Sequence, residues 1–296
     1  LPPQASPLIV DLSYDDHGFR NPATHSRAHV AFIGDSYIEA VQTALGSTLP
    51  QLVASSTGLT VANLGLSGYG PQQELVVLER YALPLEPKVI VWAFYEGNDL
   101  ADLQRYDELR PKLGSDVPTA PDLIDRTLSK NLLDTLYMRF KSCEPSPKAQ
   151  AQSGVFRDRD QRQTTLYFEG LSRPLSNAEL DAFMRFASII GRAQEQAVAS
   201  GARLILLFVP TKFRVYRDLV QFPENSTGTH AELNDLPERL AALAAQLSPP
   251  LEFFNLVDPF RSAAALGELV YLADDSHWTP TGHRIAATAL EDLLAQ

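Results

Sequence analysis

The chain has 296 residues, of which 45% are hydrophobic and 21% charged, a globular balance that excludes wholesale disorder. With 25 Lys+Arg against 36 Asp+Glu the formal net charge is −11, which argues against nucleic acid as a partner and against electrostatic docking on anionic lipid. The one cysteine, Cys143, supplies neither an intramolecular disulfide nor a thiolate zinc site, and no apolar run is long enough to predict a transmembrane span.

Residues 1–27 are polar and carry Pro2, Pro3, Pro7 and Pro22, which reads as an arm packed on the surface of a single domain covering 28–296. The chain begins with Leu1 rather than Met, so any targeting segment is out of view; an exported protein, periplasmic or extracellular, is the expectation, with a cytoplasmic one as the alternative. The apolar run from Ala28 to Ile33 predicts a buried strand ending at Gly34. A helix is expected over Ser36–Ser56, broken at Pro50. A second strand is predicted over Leu59–Leu64, a helix over Gln72–Leu83 opened by Pro71, and a third strand over Val89–Tyr95.

The alternation then pauses. Residues 100–176 read as an irregular insertion holding one amphipathic helix, with Leu133, Leu136, Tyr137 and Phe140 on one face. It resumes with a helix over Asn177–Ser200 stopped by Gly201, a strand over Arg203–Val209, a helix near 232–247, a strand over Leu251–Leu256 and a last helix from Thr279 or Pro280 to about Leu294. Five apolar strands alternating with helices predict an α/β fold, a three-layer sandwich around a central five-stranded parallel sheet. Ligands in such sheets bind at the carboxyl ends of the strands, so residues just after each strand are the ones to weigh.

After the first strand stands Gly34-Asp35-Ser36-Tyr37. A serine at a strand-to-helix turn exposes its hydroxyl above the sheet edge and suits a nucleophile, yet Ser and Asp are equally common helix caps there. After the second comes Asn63-Leu64-Gly65-Leu66-Ser67-Gly68, whose glycines let a backbone N–H face a ligand or simply make a turn. After the third, Gly97-Asn98-Asp99 offers a side-chain amide for developing negative charge, or an Asn-Asp turn. The fourth strand leads to Thr211-Lys212-Phe213-Arg214, where a cation could meet an anionic substrate or only solvent. Near the C-terminus Asp274-Asp275-Ser276-His277-Trp278 combines a base with a carboxylate three residues earlier that could orient it. Trp278 could stack on a sugar ring or fill the core. His283, six residues beyond His277, lies off the i, i+4 spacing of a helical metal pair.

Taken together, these blocks resemble the SGNH hydrolase superfamily, also called the GDSL esterase/lipase family. The resemblance spans residues 34–277 but not the insertion or the arm. It implies a flavodoxin-like SGNH fold, with Ser36 as nucleophile, His277 as base and Asp274 as its orienter. It implies an oxyanion hole made by the N–H groups of Ser36 and Gly68 and the Asn98 amide. Gly68 is preferred to Gly65 because the family's block reads Asn-x-x-x-Ser-Gly. Tyr37 stands where the family name has Leu, so fatty-acyl specificity is not implied. The run His277-Trp278-Thr-Pro-Thr-Gly-His283 is similar to the branch containing alginate O-acetylation proteins. The implied function is a serine esterase for small acyl groups, O-acetyl above all, on carbohydrate. An O-acetyltransferase with the same triad and a non-catalytic carbohydrate-binding protein are the alternatives. Tyr37, Trp278 and Lys212 are candidate substrate contacts; no metal and no cofactor are implied.

Overall fold

A computed structural model describes residues 10–113, 152–224 and 226–294. Strands β1 (Val30–Gly34), β2 (Val61–Gly65), β3 (Val89–Tyr95), β6 (Arg203–Val209) and β8 (Glu252–Asn255) form one sheet in the order β2-β1-β3-β6-β8, and every pair in it is parallel. The expected α/β sandwich with a five-stranded parallel sheet is therefore the fold of this protein.

Both faces of the sheet are covered, which is why the strands read as continuous apolar runs rather than as alternating ones. Val30, Phe32, Val89, Val91, Ile205 and Leu207 point to one face, where they pack with Leu49, Val53, Phe260 and Leu290 from the helices Leu49–Thr57, Val257–Ala265 and Pro280–Leu294. Their neighbours Ala31, Ile33, Ile90, Trp92, Leu204 and Leu206 point to the other, against Val77, Phe186, Ile190 and Leu240 from the helices Pro71–Val77, Asn177–Ser200 and Leu236–Gln246. Successive side chains on a strand alternate between faces, so each strand serves both cores.

Local signals explain most boundaries. The helix Asn177–Ser200 opens with a capping box between Ser176 and Glu179 and closes, as the sequence predicts, on Gly201 in the left-handed conformation. The helix after β1 differs from expectation. It covers only Ser36–Glu39, ending where Ala40 turns left-handed at φ 56°, and a new helix runs Leu49–Thr57. Pro50 does not break a helix; it sits in the first turn of the second one, where a missing N–H costs nothing.

Where it is described, the insertion holds regular elements that the sequence reading did not assign. It begins with a helix over Asp99–Leu113 and ends with a hairpin of β4 (Ser153–Arg157) and β5 (Gln163–Tyr167). Together with β7 (Val220–Gln221) the hairpin forms a small antiparallel sheet. Phe156, Leu166 and Phe168 tie that sheet to the core on the first face. The face expected from Leu133, Leu136, Tyr137 and Phe140 lies outside the described residues. The helix Val257–Ala265 is absent from the sequence reading; Asn255 Oδ1 accepts from Val257 N at 2.9 Å at its start.

Candidate active site

The serine turn is built by Asp35. Its Oδ1 accepts from Tyr37 N at 3.0 Å, capping the short helix and presenting Ser36 at the end of β1. Below it, β2 packs tightly: a Cβ on Gly65 would fall 2.5 Å from Glu39 N and 2.6 Å from Ile38 Cβ, so only glycine lets the second strand approach the serine helix. Behind the turn, Arg20 is fully buried and donates to the carbonyls of Glu39, Ala40 and Thr43. Asn21 joins the arm to β2 through both backbone groups of Asn63, at 2.8 and 2.9 Å. The N-terminal arm is thus a brace for the serine turn. The isolated Phe-Arg-Asn in a polar stretch was the signal for it in the sequence.

His277 Nε2 stands 2.7 Å from Ser36 Oγ. On the other side of the ring, Nδ1 stands 2.5 Å from Asp275 Oδ1. The hydrogen bond from His277 holds the Asp275 carboxyl below its usual range, against the opposing effect of burial; the His277 N–H and the charges of His277 and Lys212 add to this. An ionised carboxylate can only accept, so Nδ1 carries the proton, and in the neutral imidazole Nε2 is the bare nitrogen that faces the serine. This corrects the expected orienter. Asp274 is exposed and its carboxylate has no hydrogen bond to a described residue, whereas Asp275 reaches the ring. The reason is local. Asp275 Oδ1 also accepts from His277 N at 2.8 Å, a turn that folds a carboxylate two residues ahead back against the imidazole. At a spacing of three, Asp274 points outward.

Asn98 leaves the end of β3 and donates from Nδ2 to Asp35 Oδ2 at 3.1 Å. An amide has two hydrogens, so one orients the group and the other remains for the site. Burial raises the Asp35 carboxyl; its bonds from Tyr37 and Asn98 and the charge of His277 work the other way. Asp99 accepts from Tyr95 N at 3.0 Å and fixes the same strand end; burial, with Glu74 and Asp35 nearby, raises its carboxyl well above the ordinary range. Gly68 sits in the turn from Leu66 to Tyr69 with φ 79°, a conformation that favours glycine. Its N–H has no partner among the described residues, but Gly68 does not line the cavity onto which the serine opens.

Ser36, Asn98 and His277 border that cavity, whose volume is about 400 Å³. Its far wall comes from the end of the insertion, through Glu169, Leu171, Ser172 and Arg173, and its floor from Glu96, Thr211 and Asn234. Sequence reasoning missed Glu96, which is buried with Arg214 as a bidentate pair. Glu96 also accepts from the N–H and hydroxyl of Thr211. Arg214 is therefore spent on Glu96 and Asn234, joining the ends of β3 and β6. A charged residue directly after an apolar strand was the available clue.

The candidate substrate contacts fare differently. Trp278 is 1% exposed and packs edge-on against Phe260 and His283; it is core and cannot stack on a sugar. Tyr37 lines the cavity, but it is 1% exposed, its hydroxyl donates to Ser276 O at 2.5 Å, and its ring lies 5.0 Å from that of His277. It braces the His277 loop rather than meeting substrate through its hydroxyl. Lys212 also lines the cavity, yet it is 2% exposed and its ammonium is committed to backbone carbonyls. His283 is a core histidine: Nδ1 accepts from Leu49 N at 3.2 Å, and burial lowers it to about 3. Among the described residues no group of three or more His, Cys, Asp or Glu could hold a metal ion, and no helix is long and apolar enough to cross a membrane.

Residues 169–296 match the family model described as "SGNH hydrolase-like domain, acetyltransferase AlgX", a span that contains Asp275 and His277 but not Ser36. The chain is 29% identical over 147 residues to a Pseudomonas putida protein described as "Probable alginate O-acetylase AlgJ", covering 50% of this chain and 35% of that one. It is 30% identical over 135 residues to a Pseudomonas fluorescens protein of the same description, covering 45% and 32%. The chain thus aligns with about a third of the length of these curated relatives. An acetylxylan esterase from Geobacillus stearothermophilus is a weak structural neighbour, at 14% identity and TM-score 0.46 over 92% of this chain and 96% of that one. The serine and the imidazole, brought together across one sheet edge, accord with that C-terminal match: residues 169–296 are similar to the SGNH hydrolase-like domain of the alginate O-acetylation branch.

Proposed function

We propose that the protein is a serine carboxylic ester hydrolase, or related O-acyltransferase, that carries a small acyl group on Ser36. The observation that carries the reading is the continuous hydrogen-bonded line from Asp275 through His277 to Ser36. Ser36 Oγ attacks the ester carbonyl carbon as its proton passes to His277 Nε2, and Asp275 stabilises the imidazolium. The carbonyl oxygen becomes an oxyanion, for which the Ser36 N–H and the second hydrogen of the Asn98 amide are the proposed donors. The tetrahedral intermediate collapses, His277 returns the proton to the departing alkoxide, and an acyl-enzyme remains. A water or hydroxyl, deprotonated by the same imidazole, then attacks the acyl carbon and frees Ser36.

The wall chemistry favours a hydroxylated substrate. Glu96, Glu169, Ser172, Arg173, Thr211 and Asn234 line the cavity, a polar surface poorly matched to a long acyl chain and well matched to carbohydrate carrying O-acetyl groups. Cleavage of such esters is the first reading. O-acetyl transfer to a polysaccharide hydroxyl is the second; the family description and the relatives' printed names favour it. Either activity suits an exported protein. The test is acetate release from p-nitrophenyl esters of graded chain length, with and without oligosaccharide acceptors. Release that favours acetate and is unaffected by acceptor supports hydrolysis; acetylated oligosaccharide supports transfer. No release and no transfer with any ester overturns the reading.

A further inference from the structure

Lys212 begins the helix Lys212–Tyr216 just beyond β6, and its side chain turns inward beneath the loop that carries Asp275 and His277. Nζ donates to Leu272 O at 2.8 Å, Ala273 O at 3.2 Å and Asp275 O at 2.7 Å. An ammonium has three hydrogens and no acceptor, so its capacity is filled by three carbonyls of one loop. The rest of that loop is tied from other directions. Tyr37 donates to Ser276 O at 2.5 Å, Tyr167 N to Ala273 O at 2.8 Å, and Leu272 N to His277 O at 2.9 Å. From 272 to 277 the carbonyl without such a tie is that of Asp274, whose side chain also faces outward. Among the described residues, Lys212 is the sole partner of the Leu272 and Asp275 carbonyls.

We propose that Lys212 is a positioning residue for the Asp275–His277 pair: its ammonium fixes the loop backbone at Asp275 so that the carboxylate meets the imidazole and the imidazole meets Ser36. The inference rests on the serine-nucleophile reading and gives Lys212 a place in it. A buried ammonium is an expensive way to fill space, and a residue that only packed there would not need three donors converging on one loop.

The clamp carries a pH dependence. Burial brings Lys212 down to about 8, although Glu169 from the segment after β5 and Asp274 and Asp275 from the loop, all acidic, act to keep it protonated. The neutral amine has two hydrogens for three carbonyls and no charge to attract them. As pH rises through about 8 the loop loosens, and the alignment of His277 with Ser36 is lost with it.

The experiment measures the second-order rate at which an alkyl fluorophosphonate labels Ser36. Wild type, Lys212→Met and Lys212→Arg are compared from about pH 6 to about pH 9.5, with Ser36→Ala as the blank and circular dichroism confirming the fold. The wild-type rate is expected to fall above about pH 8. Lys212→Met is expected to label roughly 10- to 100-fold more slowly, the scale of a small misplacement of reacting groups, and to lack the alkaline fall. Lys212→Arg, charged throughout this range, is expected to recover part of the rate and also to lack the fall. A Lys212→Met rate equal to wild type across the whole range overturns the clamp. Wild type labelling no faster than Ser36→Ala overturns the nucleophile reading instead.

Discussion

Ser36 Oγ and His277 Nε2 are 241 residues apart in the chain and 2.7 Å apart in space. That contact needs three independently built pieces: the capped turn after β1, the sheet that sets the strand ends side by side, and the loop before the last helix. Each can be challenged separately.

Ser36→Ala removes the proposed nucleophile and little else, since the cap of the turn belongs to Asp35. Ester turnover is expected to vanish with the thermal midpoint nearly unchanged. Pure mutant protein that still releases acetate at the wild-type rate would refute a serine mechanism.

Asp275→Asn and Asp274→Asn separate the two acids of the loop. The first takes the ionised acceptor from His277 Nδ1, and a loss of roughly 10³–10⁴ in kcat is expected, the scale seen when the orienting carboxylate of such a triad is neutralised. The second changes an exposed side chain and should leave kcat close to wild type. The opposite ranking in a steady-state assay would return the role to Asp274.

Asn98→Ala deletes a proposed oxyanion donor and leaves Asp35 without one of its two hydrogen bonds. A fall of roughly 10²–10³ in kcat, with KM little changed, is the expected cost of one such donor. A loss confined to KM would make Asn98 a substrate-binding group instead.

His283 predicts an acid-sensitive fold. Burial keeps it neutral to about pH 3 against an ordinary value of 6.5, so below about 6.5 the unfolded chain binds one proton more than the native one. Stability is therefore lost as pH falls from about 6.5 toward about 3, by about 2–3 kcal/mol from this group at about pH 4.5. His283→Gln retains an acceptor for Leu49 N but cannot take the proton. Urea unfolding at about pH 7 and about pH 4.5 should show a smaller acid loss in the variant; equal losses would show that His283 does not drive it.

Much of this protein is legible one residue at a time. A seven-residue apolar run rich in β-branched and aromatic residues, such as Val89–Tyr95, reads as a strand covered on both faces, and alternation with helices makes the sheet parallel. The glycines and polar residues that end those strands mark the edge where chemistry collects. Ser36, Asn98 and His277 stand out in that way, because local sequence sets where a strand stops and which residues come next. The sequence could not decide which neighbour wins when several are chemically equal. Asp274 and Asp275 differ by one position, and the turn made by the Asp275 carboxylate with His277 N chose between them. Lys212 and Trp278 looked like ligand groups by type and place, but converging carbonyls and a closed aromatic cluster drew both inside. The ends of segments such as Ser36–Glu39 were set by Arg20 from a remote arm. Hydrogen-bond partners and burial are properties of the whole packed chain, and they, rather than residue type, assigned those roles.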